Sequence, residues 1–554
     1  VADYRSRSAS LLRLLVGDAQ DTRRRIVLLA VIAGTANAAL LAIVNQATSV
    51  AADEPGNFRL LLLFIITFAL YAYASVHTFQ SVTVLVETQL ERIRTRITDK
   101  IARLDLHGLQ RLDPSVLYGR LTQDTSLISD SSGVIAAALQ SVVLVFFATI
   151  YMAILSLLTF LIGVLLIGGG LMVYVVRARA INEQIEQAAK REGEYFARIN
   201  DLLHGFKELK LSDVREEALT GDIHSTVSEV RRLKVRTADM FNRNYIFAYS
   251  LFYIFMGAVV FILPRFVSKY GKELTELTAT ILFIIGPLST VVAAIPAWAR
   301  SNLAADRLLH LDAMLETMYE PAPKKKTEPG RSLALFREIT MHNVVFPFDD
   351  PGGDGAFVVG PVELTVHAGE TLFIVGGNGS GKSTLLKLLT ALYVPKSGVL
   401  TIDDVPVREH NRQMYRNLFS AIFSDFYLFR KLYGIGAVEP ELVGKLLQMM
   451  QIESKTSFDG TGFTTLDLST GQRKRLAMIV ALLEDRPICV FDEWAADQDP
   501  EFREYFYRTL LSSLKARGKT LIVVSHDDRY FHIGDRIVHM EYGRIDRIIP
   551  GSVA

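Results

Sequence analysis

Residues 133–176 hold no charged side chain in 44 consecutive positions. As a single helix the stretch would be about 66 Å long, at about 1.5 Å per residue. The hydrocarbon layer of a membrane is about 30 Å thick, so the stretch is too long for one crossing and suits two, joined by a tight turn near Leu155-Ser156. Residues 26–50, 60–86, 245–263 and 277–298 are further apolar runs of spanning length, which makes a set of six. The last contains Pro287 and Pro296, tolerated in a packed membrane bundle but expected to kink the helix.

Between the second and third spans, and between the fourth and fifth, lie the polar stretches 87–132 and 177–244. Their helical periodicity and many Arg and Lys residues predict long helices that continue out of the membrane. The opposite connections, 51–59, the turn near Leu155 and 265–276, are brief. Arg and Lys concentrate in the long stretches and in an N-terminal arm with Arg5, Arg7, Arg13, Arg23, Arg24 and Arg25, which places both on the cytoplasmic side. Lys269 and Lys272 weaken that bias without reversing it. The arm lacks the small-residue cleavage pattern of a signal peptide. A net charge of +1 gives no support for a nucleic-acid partner. Cys489, the single cysteine, sits in an apolar run and reads as a buried core thiol.

An even number of spans returns the chain to the cytoplasm. There the expected organisation is a six-span transmembrane domain over 1–318, a linker over 319–332 with Lys324, Lys325 and Lys326, and a second domain over 333–554. The lysine run reads as a solvated linker rather than a lipid contact. In the second domain β-rich runs alternate with helical ones. The apolar runs 371–375, 488–491 and 520–524 look like central parallel strands of an α/β fold.

The chemistry lies in that domain. Gly376-Gly377-Asn378-Gly379-Ser380-Gly381-Lys382-Ser383-Thr384 follows one expected strand and precedes a helical run, the context a phosphate-binding loop requires. Its glycines let backbone N–H groups turn toward phosphates, Lys382 supplies charge to the β/γ-phosphates of ATP, and the Ser383 hydroxyl suits Mg²⁺. Asp492 ends an apolar strand and is a second candidate Mg²⁺ holder, and Glu493 beside it is the candidate general base for the attacking water. His526 follows the strand 520–524, where it would contact the γ-phosphate. Asp527 and Asp528 adjoin it, but no ligand cluster completes a metal site there.

Together with Leu468-Ser469-Thr470-Gly471-Gln472, these motifs resemble the nucleotide-binding domain of an ABC transporter, and the whole chain resembles an ABC exporter half-transporter. More narrowly, Asp492-Glu493-Trp494-Ala495-Ala496-Asp497-Gln498-Asp499-Pro500 and Ser525-His526-Asp527-Asp528-Arg529-Tyr530-Phe531 resemble the bacterial cyclic-peptide and siderophore-peptide exporter family, which includes microcin and pyoverdine-precursor exporters. The resemblance implies a homodimer in the bacterial inner membrane, in contact with membrane lipids, that hydrolyses ATP to export a peptide-derived compound. It implies that Ser469, Gly471 and Gln472 act in trans on ATP held by the other copy, and that Phe348 stacks on adenine, with Phe346 as competitor. It also implies short coupling helices near 111–115 and 203–208, which read equally as turns within helical hairpins.

Two departures stand out. Ser424 occupies the place of the glutamine that usually helps hold Mg²⁺ and water, with Asp425 beside it as a candidate replacement and metal ligand. The stretch 496–499 is more polar than the Ser-Ala-Leu-Asp of most family relatives, although Asp499 matches. Asn45, Gln46, His77, Gln80, Gln140, Tyr249 and Tyr253 lie within spans, as substrate contacts or as interhelical glue. Competing readings are a lipid or lipid-linked flippase and a membrane-anchored regulatory ATPase.

Overall fold

Ser156 breaks the long apolar stretch, as the sequence predicts, and it does so with a single residue. In the computed structural model, helix Thr125–Leu155 ends there, Ser156 adopts an extended conformation, and helix Leu157–His204 begins. The Ser156 hydroxyl accepts from the Thr159 N–H at 3.3 Å, capping the new helix. The structure describes residues 10–16, 20–50, 57–265, 271–318, 336–348 and 357–551. The linker expected at 319–332 lies outside the described residues, as do Arg5, Arg7 and Lys269.

The chain divides into two units. The first comprises residues 1–102 and 112–317, and the second comprises residues 103–111 and 318–554. The described residues of the first unit form helices joined by short turns. Its long helices are Gln20–Val50, Phe58–Ile101, Thr125–Leu155, Leu157–His204, Asp213–Gly257 and Gly271–Thr317. Among the described residues, five helical segments are long and apolar enough to cross a membrane, and residues 157–170 add a shorter apolar run. Helix Gly271–Thr317 runs through both Pro287 and Pro296 without ending.

Close approach and buried polar bonds hold these helices together. A side chain at Gly34 would stand 2.5 Å from Val143. Asn45, buried, donates to the Glu276 carbonyl at 3.2 Å and the Thr280 hydroxyl at 3.3 Å, so this polar group joins helices. Ser75 donates to Gln140 at 3.4 Å, a second bond of that kind. Leu144, Met152, Phe252, Phe255, Ile281 and Ile284 share one apolar core. Beyond it, Lys100 pairs with Asp312 at 2.8 Å, and Asp124 with Arg120 at 3.1 Å. The hairpin between Leu157–His204 and Asp213–Gly257 ends in the short helix Phe206–Lys210, where a coupling helix is expected.

The second unit is α/β. Its six-stranded sheet runs in spatial order Arg544–Pro550, Arg536–Glu541, Thr371–Gly376, Thr520–Val524, Ile488–Asp492, Phe419–Ile422. All neighbours are parallel except the first pair. The three strands expected at the centre lie there side by side. Ile488–Asp492 and Thr520–Val524 are buried at every position, which explains why they read as unbroken apolar runs rather than alternating ones. A four-stranded antiparallel sheet, in the order Val358–His367, Glu338–Pro347, Ser397–Ile402, Val405–Pro406, closes one side of the core.

Residues 103–111 pack with this second unit, which departs from an unbroken first domain over 1–318. Asp105 caps the short helix Leu106–Gln110, accepting from the Gly108 N–H at 2.7 Å. His107 sets its ring edge against Phe346 and Tyr393, and the Tyr393 hydroxyl donates to Gln110 at 2.8 Å. Residues 111–115, expected near the loop tip, follow directly on this short helix.

Candidate active site

The carboxyl ends of adjacent parallel strands are where an open α/β sheet presents its ligand crevice. Three of these strands end in Gly376, Asp492 and Val524, and the expected catalytic residues lie at or just beyond these ends. The loop after Gly376 turns into helix Lys382–Leu389. Gly376 has φ +153°, and a Cβ there would stand 2.3 Å from the Met540 carbonyl, so no other residue fits. Gly377, Asn378 and Gly379 form the exposed rim, Ser380 and Lys382 are buried, and Ser383 and Thr384 are half-buried in the helix's first turn.

Lys382 folds back over the loop, its ammonium donating to the carbonyls of Gly376 at 3.1 Å and Gly377 at 2.9 Å. Burial pulls its pKa below the usual lysine range, against the opposing pull of Glu493 and Asp492. A desolvated cation held by two carbonyls is placed to exchange them for phosphate oxygens.

Asp492 is 1% exposed, and neither of its carboxylate oxygens has a hydrogen-bond partner of full geometry. Burial raises its pKa, and the nearby Ser383 hydroxyl and Ser424 backbone only partly offset that. An unsatisfied buried carboxylate beside a serine hydroxyl fits a divalent cation that arrives with nucleotide phosphates. Among the described residues there is no group of three His, Cys, Asp or Glu side chains to hold a metal alone.

Glu493 takes a left-handed backbone conformation, with φ +50° and ψ +34°. Such a conformation is uncommon for a residue other than glycine. Its carboxylate lies 3.0 Å from Nε2 of His526, so the two residues placed here from sequence do meet.

Asp425 does not join them. Its carboxylate is largely exposed and faces Lys387 at 3.9 Å. The structure brings Ser424, and not Asp425, beside Asp492. Asp527 forms a fork with Arg529 at 2.7 and 2.8 Å and so is not free to ligate. Phe346 is buried and stacks on Tyr393, with ring centroids 4.7 Å apart. Phe348 is only half-buried, which leaves it as the aromatic candidate for adenine. Cys489 is buried as expected, and burial pushes its thiol up to about 11.

Ser469, Gly471 and Gln472 open the helix Thr470–Glu484. Ser469 is the N-cap, accepting from the Gln472 N–H at 3.4 Å, while the Gln472 side chain accepts from the Ser469 N–H at 3.1 Å. Sequence reasoning does not reach Lys474, Arg475 and Gln498, which bond this helix to the loop after Glu493. The only signal for them is the polar character of 497–498.

The profile described as "ABC transporter" matches residues 359–496, and that of the "ABC transporter transmembrane region" matches residues 26–293. ATP-binding protein SyrD of Pseudomonas syringae pv. syringae is 32% identical across 98% of this chain and 97% of its own length. The chain is an ABC transporter. This ABC transporter is a multi-pass membrane protein whose ATP-binding domain couples hydrolysis to export. An ATP-dependent lipid A-core flippase of Alkalilimnicola ehrlichii is 26% identical over 82% of the transporter and 78% of its own chain. In fold the transporter matches a bacterial Atm1-family ABC exporter solved with ATP bound, with a TM-score of 0.76 over 97% of this chain and 96% of that one, at 19% identity.

Proposed function

We propose that two copies of this transporter pair in the bacterial inner membrane, with their nucleotide-binding domains in the cytoplasm, and export a peptide-derived compound, a cyclic peptide or a siderophore precursor. The observation that carries the reading is the group formed by Lys382, Asp492, Glu493 and His526 at the carboxyl ends of the parallel strands. Lys382 and the loop N–H groups hold the ATP phosphates. Ser383 and Asp492 hold Mg²⁺, which when bound neutralises phosphate charge. Glu493 accepts the proton of the attacking water, and His526 keeps its carboxylate aimed.

A single phosphate loop and a single signature per chain support the dimer, because in this family the signature closes over ATP held by another copy. ATP closes the pair by binding that state better, and the coupling tips pass the closure to the membrane helices. The residues 492–500 and 525–531 support a peptide-derived substrate. A second reading, lipid transport, is favoured by the similarity to a protein named as a lipid A-core flippase.

ATPase activity of the purified transporter, measured with a panel of cyclic and siderophore-like peptides and with defined lipids, separates the two. Stimulation by peptides at constant lipid is the expected result. Stimulation by lipids alone would replace the peptide reading with the flippase.

A further inference from the structure

Lys474 is a buried cation that the hydrolysis described above does not use. It lies in the second turn of helix Thr470–Glu484 and is 4% exposed. A buried ammonium must be paired. This one donates to the backbone carbonyl of Glu493 at 2.7 Å and pairs with Asp497 at 2.7 Å. Its own carbonyl accepts from the indole N–H of the buried Trp494 at 2.9 Å. A second tie lies beside the first: Gln498, 4% exposed, donates to the Gly471 carbonyl at 3.1 Å and accepts from Arg475 at 2.8 Å. The two segments approach so closely that a Cβ on Gly471 would stand 2.7 Å from the Asp497 carbonyl. Glu493, whose carbonyl Lys474 grips, has a left-handed backbone, a conformation that persists only where its surroundings over-determine it.

We propose that Lys474 is a positioning residue that fixes the peptide of Glu493 to the signature helix and so couples the two ATP sites of a dimer. The inference rests on the reading of Glu493 as general base. The two ends of the clamped piece serve different ATP molecules. Glu493 acts on the ATP held by its own phosphate loop, and Ser469 faces the one held by the other copy. Seating Ser469 against that ATP shifts the helix, and through Lys474 it sets the aim of Glu493. Hydrolysis is then cooperative between the sites.

The test uses full-length transporter in lipid nanodiscs, with Lys474→Met, Asp497→Asn and Glu493→Gln compared by kcat, KM and Hill coefficient for ATP. Lys474→Met is expected to lower kcat about tenfold or more, since sub-ångström aim governs such steps. Its KM should stay within about twofold, and its Hill coefficient should fall to unity from a higher value in the unaltered protein. Asp497→Asn, which spares the bond to Glu493, should keep most of kcat. Unchanged kcat and Hill coefficient in Lys474→Met, with Glu493→Gln inactive, would overturn the coupling while leaving the base assignment intact. Near-normal turnover in Glu493→Gln would overturn the base assignment itself. A readout that needs no variant is hydrogen exchange in the unaltered transporter, with and without ATP and vanadate. Residues 468–476 and 491–499 should gain protection together, and protection of one without the other would overturn the proposal even if Lys474→Met does not fold.

Discussion

Glu493 combines a backbone that side-chain-bearing residues rarely adopt with a carboxylate 3.0 Å from His526. Replacing it with Gln keeps the shape and removes the base, so kcat for ATP should fall by about 10²–10⁴-fold while nucleotide binding survives; phosphate release against ATP concentration measures both. Asp492 leads to a pH argument. Burial raises its pKa in the fold, so the folded chain holds that proton more tightly than the unfolded one. Its stabilising contribution is present below the unfolded value and is lost as pH rises through the folded value, so at neutral pH the ionised group costs stability. Asp492→Asn should therefore raise resistance to thermal unfolding at neutral pH without nucleotide, by about 1 kcal/mol. It should also erase the extra protection that Mg²⁺ adds to ATP. A lower unfolding temperature in this variant would contradict the buried-charge account. Lys382, Asp492 and Glu493 could be read from sequence because each sits inside a contiguous motif. Lys474 could not, because its partners Glu493 and Asp497 are distant in sequence and only the sheet brings them to the helix.

The helix Thr470–Glu484 begins with a capping box, and its N-cap serine is also the residue expected to face ATP. Ser469→Ala should cost about 1 kcal/mol of stability through the lost cap. Ser469→Asp keeps a capping oxygen but sets a negative charge where phosphate is expected. Thermal unfolding should therefore be near normal in the Asp variant, with turnover reduced about tenfold or more. Normal turnover in the Asp variant, with loss of stability confined to the Ala variant, would leave the cap as its only role. The central strands were legible because burial on both faces makes them uninterrupted apolar runs. The Ser156 break was legible because a continuous helix would exceed the membrane. The packing of the short helix Leu106–Gln110 was not legible, since His107 and Gln110 look like ordinary polar loop residues until Phe346 and Tyr393 are beside them. That Asp425 faces Lys387 was not legible, because linear adjacency to Ser424 does not say which of the two side chains lies at Asp492.

Among the described residues, five long apolar helical segments and one shorter run give this ABC transporter its membrane region, and the second unit gives it one phosphate loop and one signature. With hydrolysis blocked and binding intact, Glu493→Gln should accumulate as an ATP-bound closed pair. Crosslinking between copies should rise with ATP in that variant and reverse with hydrolysis in the unaltered protein. The substrate leaves little trace in the sequence, because polar residues within the spans serve helix packing as well as transport, as Asn45 does. The most direct measurement is uptake of labelled cyclic and siderophore-like peptides into inside-out vesicles carrying the transporter, with ATP, beside vesicles carrying Glu493→Gln. Accumulation that requires ATP and disappears in Glu493→Gln is the predicted result. ATP hydrolysis without accumulation of any peptide, or equal accumulation in both kinds of vesicle, would contradict peptide export.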